Sequence, residues 1–149
     1  MNRKFKISDL DQETLEAKID SELELIWSNP NSRVGLHSGK SRSKEHVRRD
    51  IRQGLAAEQY LIEKLGFTND TRSFRDVYNE AGIPFEVKTA SSRDKISNHL
   101  EKCKKLKGWY PETFPDHVCM FNVDIQTSDD YSYEFEGVYE WNGSSFEKA

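Results

Sequence analysis

Long apolar runs are missing from this chain, and their absence excludes a spanning helix, which needs about 20 consecutive apolar residues. Cysteine is scarce. Cys103 and Cys119 alone build no disulfide framework, and two thiols fit a reducing cytoplasm. No apolar stretch follows the basic residues of Met1-Asn2-Arg3-Lys4-Phe5-Lys6, so the sequence predicts no secretory signal and a cytoplasmic location. Internal repeats and low-complexity tracts are lacking as well. So is an excess of positive charge. A net charge of −4 argues against a histone-like DNA binder but leaves room for an enzyme whose charges are segregated. The 149 residues are enough for one domain with a single core. A charged fraction of 32% and a mean hydropathy of −0.86 predict a soluble protein with a modest core.

What charge there is falls in blocks. Residues 1–32 set Arg3, Lys4, Lys6 and Lys18 against seven acids, Asp9 to Glu24. Residues 33–52 reverse the balance, with Arg33, Lys40, Arg42, Lys44, Arg48, Arg49 and Arg52 against only Glu45 and Asp50. A second basic knot, Lys102, Lys104, Lys105 and Lys107, comes later, and beyond Pro115 the only Lys or Arg is Lys148. Two basic segments of this kind suit a phosphate backbone.

Leu10, Leu15, Ile19, Leu23 and Ile26 keep helical spacing after a start near Ser8-Asp9, and Ser28-Asn29-Pro30 ends the run. The apolar stripe of this acidic helix suits packing on the core or on a second subunit. A second helix is predicted from about Lys44 to Leu65, closed by Gly66. Residues 74–90 read as a hairpin turning at Glu80-Ala81-Gly82. Ser91 to Asp94 reads as a loop, Ile96 to about Trp109 as a helix, and His117–Ile125 and Tyr131–Trp141 as strands. The order predicts an α/β or α+β domain over 1–149 with a central mixed sheet flanked by helices.

The hairpin carries the chemistry. Asp76 lies at its start, and Glu86-Val87-Lys88 follows on the second strand, with Glu86 and Lys88 on one face and Val87 on the other. Two carboxylates and an ammonium at a sheet edge suit a hard divalent cation and water attacking a phosphate. Asp-x9-Glu-x-Lys across a strand-turn-strand, after a helix holding Glu58 and before a helix and a strand, resembles the PD-(D/E)XK nuclease superfamily. Arg75 stands where the motif's name has Pro. The resemblance implies a restriction-endonuclease-like core, closest in size and spacing to the smallest type II restriction enzymes, in a bacterial, archaeal or phage-infected cell. It implies a Mg²⁺-dependent endonuclease, with Mn²⁺ substituting. The expected ligands are Asp76, Glu86 and the Val87 carbonyl, with Lys88 acting on the water and the phosphorus oxygens. Cutting duplex DNA would call for a homodimer. The alternative is a nucleic-acid-binding module that keeps the fold without catalysis.

Several residues admit two readings. Glu58 is a metal ligand by resemblance or a surface helix glutamate. Arg48, Arg49 and Arg52, with Lys40, Arg42, Lys44, Lys104 and Lys105, would contact DNA phosphates. The three arginines could instead form a solvated face paired with the acidic first helix, but their nearness in sequence to Glu58 favours DNA contact. Trp109 and Tyr110 would stack on a base or cap the core. Gly35 to Ser41 is one residue short of a P-loop, and no apolar strand precedes it. His99, Cys103, His117 and Cys119 do not have a zinc-finger spacing.

Overall fold

A computed structural model describes residues 3–28, 43–70, 73–91, 95–124 and 130–149, without the side chains of residues 70 and 73–76. Strand β1 (Lys4–Lys6) leads through a single 3₁₀ turn (Ile7–Asp9) into helix α1 (Gln12–Trp27). Helix α2 (Lys44–Leu65) is followed by β2 (Thr68–Asp70), β3 (Ser73–Tyr78) and β4 (Pro84–Ser91). Helix α3 (Ile96–Trp109) crosses to β5 (His117–Asp124), and β6 (Ser132–Trp141) and β7 (Phe146–Lys148) complete the order. The seven described strands form one sheet in the order β1-β6-β5-β4-β3-β2, with β7 also on β6. Strands β4 and β5 run parallel, joined by α3, and the other pairs are antiparallel.

Local chemistry sets the helix ends. The predicted start at Ser8-Asp9 moves forward: that stretch forms the 3₁₀ turn, and Asp11 caps α1 by accepting from the Thr14 N–H at 3.2 Å. Ser43 caps α2, accepting from the His46 N–H at 3.1 Å. Gly66 closes α2 in the left-handed region at φ 72°, and a Cβ there would stand 2.8 Å from Glu80 Oε1. Between β3 and β4, Asn79 Oδ1 accepts from the N–H groups of Ala81 and Ile83 at 3.0 and 2.9 Å.

Helix α2 covers one face of the sheet and α3 the other. Under α2, Phe5 stacks on Tyr60 at 4.3 Å and on Tyr133 at 4.8 Å, and Phe121 meets Tyr60 edge-on at 5.8 Å. The Tyr133 hydroxyl donates to the Gln53 carbonyl at 2.9 Å, which ties β6 to α2. Under α3, Cys103 packs with Val118, Met120 and Phe146. The apolar stripe of α1 is spent within the chain, since Leu15, Ile19 and Leu23 are buried and Leu15 and Ile19 join the core under α2. In β6, a bulge opposite Met120 and Phe121 explains why the apolar alternation skips from Phe135 to Val138. Among the described residues, no helix is long and apolar enough to cross a membrane. Phe121 is fully buried at the centre of this ring cluster. Phe121→Ala should cost about 3–5 kcal/mol, read as a lower urea midpoint with an unchanged m-value.

Candidate active site

Alternation along β4 decides which of its residues share a face. Phe85 and Val87 pack in the core under α2, and Thr89 Oγ1 accepts from Gln53 Nε2 of α2 at 2.8 Å. Glu86, Lys88 and Ala90 therefore leave the opposite face. There the Lys88 Nζ stands 3.1 Å from Glu86 Oε1, both side chains half-buried. Cys103 of α3 is close enough to sense both: Lys88 lowers its thiol pKa and Glu86 raises it, after a larger upward push from burial.

Glu58 comes from α2 and is only 6% exposed, so it is not a surface glutamate. Helical spacing sets Asp50, Gly54 and Glu58 along one stripe. These three line a cavity of about 330 Å³ together with Glu22, Ile26, Glu86 and Val87. Glu58 borders this cavity from α2 and Glu86 from β4, although the Glu86 side chain pairs with Lys88 on the face of β4 that points away from the core under α2. Asp76 lies in β3, where its neighbour Val77 pairs with Phe85. Asp76 and Glu86 are each one residue beyond that pair, on the same side of it, in adjacent strands. The Asp76 side chain lies outside the described residues. Among the described residues, no group of three or more His, Cys, Asp or Glu side chains is disposed to hold a metal ion.

The basic residues divide sharply. Lys40 and Arg42 lie outside the described residues, as do the whole stretch 35–41 and residues 92–94 of the loop predicted after β4. Arg48 pairs with Glu16 and, at 2.6 Å, with Asp20, and Arg52 reaches Glu16 at 2.8 Å. Lys44 stands 4.0 Å from Glu24. The acidic face of α1 therefore engages Arg48 and Arg52, the second of the two arrangements that the sequence allowed. Arg49 is exposed on α2, and Lys104 and Lys105 are exposed on α3. Cys103 and Cys119 lie on opposite faces of the sheet, Cys119 in the core under α2.

Glu22 and Asp50 are not singled out as site residues by the sequence, and Tyr110 is read there only as a base-stacking or core-capping ring. The spacing of Asp50 from Glu58 was legible there, but Glu22 joins them only because α1 docks on α2. Tyr110 borders Glu86 across a second cavity of about 330 Å³, lined also by Tyr78, Pro84 and Phe114. In comparisons with known proteins, no family model, no curated protein and no solved structure matches this chain.

Burial pushes the Cys103 thiol up to about 11 and the Cys119 thiol up to about 12. Both should resist a chromogenic disulfide reagent at about pH 8 in the native protein and react once it is unfolded. The native thiols keep protons that the unfolded chain releases from about pH 9 upward. Their contribution to stability is full below that point and lost as pH rises toward the folded values, so chemical denaturation should show stability declining there.

Proposed function

We propose that this chain is a metal-dependent endonuclease of the PD-(D/E)XK type, with a restriction-endonuclease-like core, that hydrolyses DNA phosphodiester bonds. One observation carries the reading: Glu86, ion-paired with Lys88 at 3.1 Å on one face of β4, lines the same cavity as the buried Glu58 of α2. The surroundings agree with the resemblance. A helix with a glutamate precedes the hairpin, Asp76 stands in the strand antiparallel to β4, and a helix and a parallel strand follow.

The donor set fits a hard cation in kind, since carboxylate and carbonyl oxygens are what Mg²⁺ and Mn²⁺ take. Asp76, Glu86 and the Val87 carbonyl would hold the ion, with Glu58 as a further ligand. When bound, the cation polarises the phosphate and lowers the pKa of its water. The chain's own groups do the rest. Lys88, held beside β4 by Glu86, orients the attacking water and stabilises negative charge building on the phosphorus oxygens. Among the described residues, Arg49, Lys102, Lys104 and Lys105 are exposed cations that would meet phosphates, while Arg48 and Arg52 pair with α1. The products would carry 5′-phosphate and 3′-hydroxyl ends. A homodimer would supply the second site that duplex cutting needs.

Supercoiled plasmid incubated with Mg²⁺, Mn²⁺ or EDTA tests the reading. Wild type should nick or linearise it only with metal, and Asp76→Ala and Glu86→Ala should each abolish cutting while DNA binding persists. Lys88→Ala should slow cleavage by about 10²–10⁴-fold. Undiminished cutting by both carboxylate variants would remove Asp76 and Glu86 from the mechanism. Metal-independent DNA binding without cleavage of plasmid or branched substrates would favour the non-catalytic module.

A further inference from the structure

Helix α3 ends in two aromatic residues that the core does not use. Trp109 is 70% exposed and Tyr110 57%, so neither caps the core. Large rings left in water at adjacent positions are unusual on a surface this polar.

They are not on a loose loop. Lys107 is buried, and its ammonium donates to the carbonyls of Pro111 at 2.9 Å and Phe114 at 2.8 Å and pairs with Asp116 at 2.6 Å. Three partners satisfy all three of its N–H groups, which is what allows a lysine to be buried. The Tyr110 N–H also bonds the Leu106 carbonyl at 2.8 Å, and the Tyr110 carbonyl accepts from Phe114 at 2.9 Å. The turn that follows the rings is thus pinned from inside, and the rings themselves are held outward.

Two neighbours say what the rings face. Tyr110 borders the same cavity as Glu86. Lys102, Lys105 and Trp109 are spaced three and four apart, so one side of α3 presents two exposed ammonium groups leading to an indole. Glu101 is the only acid in the helix. A track of cations ending in aromatic faces suits a phosphodiester strand with its bases turned out to stack.

We propose that Trp109 and Tyr110 form a stacking platform for an unpaired nucleobase, and that DNA carrying unpaired bases, single-stranded or branched, is therefore preferred over continuous duplex. The placement next to Glu86 gains its catalytic meaning from the nuclease reading, but the binding does not depend on it. A base stacked on the platform would set the adjoining phosphate toward β4. In a duplex that face is buried against the next base pair.

The test is fluorescence anisotropy in EDTA, using a labelled single-stranded oligonucleotide, the same strand in a duplex, and a four-way junction. Trp109→Ala and Tyr110→Ala should each weaken single-strand binding by about 5- to 150-fold. Duplex affinity and thermal stability should stay near wild type. Trp109→Phe and Tyr110→Phe keep a stacking face and should retain most of the affinity. Equal losses on single strand and duplex, no loss at all, or no binding by wild type would each overturn the platform. So would Ala variants that change only the oligomeric state, which would make the rings a protein contact. Failure of the nuclease reading looks different. Single-strand binding that depends on the rings, with no cleavage in any metal, would sink catalysis and keep the platform.

Discussion

Because helices cover both faces of the sheet, every side chain of β4 must enter one of two environments, and the two-residue period of a strand fixes which. Phe85, Val87 and Thr89 go to α2, where a ring cluster and a hydrogen bond receive them. Glu86 and Lys88 are sent the other way by the same constraint. A slip of one residue would drive a carboxylate and an ammonium into the apolar core and expel Phe85 and Val87. The cost of burying those charges protects the register. Core and candidate site are thus specified by one alternation, and neither can shift without the other.

Charge pairing governs the second layer. Helix α1 carries acids on the side that meets α2, and α2 answers with Arg48, Arg52 and Lys44. Exposed pairs of this sort contribute only about 0–1 kcal/mol each. Their larger effect is on alignment, since this rotation of α1 sets Glu16 and Asp20 against Arg48 and Arg52. The burial of Leu15, Ile19 and Leu23 supplies the stabilisation, and the ion pairs choose the orientation. One result is that Glu22 comes to face Asp50 and Glu58 across a cavity. That acidic lining is where the proposed reading would place its cation.

Much of this was legible beforehand, and the reasons are local. Ser43 and Gly66 mark the ends of α2 through hydrogen bonds and a left-handed backbone, which the residue types announce. The helix over Ile96–Trp109 and the long strands β5 and β6 show their periods plainly. Strands β1, β2 and β7 were not legible, because three residues are too few to display a period and their pairing depends on distant partners. The partner of Arg48 was equally beyond the sequence: composition allowed DNA or α1, and only the packing of two helices selects between them. At the candidate site, the shared face of Glu86 and Lys88 followed from alternation alone. The burial of Glu58 and the nearness of Tyr110 to Glu86 needed the third dimension.

The pairing of β1 with β6 also bears on how the molecule assembles. Lys4 lies opposite Glu134 and Phe5 opposite Tyr133, so the first strand must wait for nearly the last. On a ribosome, α1 and α2 emerge early and can zip together by contacts close along the chain. Phe5, meanwhile, has no ladder to join, and Tyr60 has no settled ring to stack upon. Closure of the sheet therefore has to wait until β6 has been made, and the aromatic cluster is the latch that records it. Until then the nascent chain carries a greasy, half-made face that water still reaches.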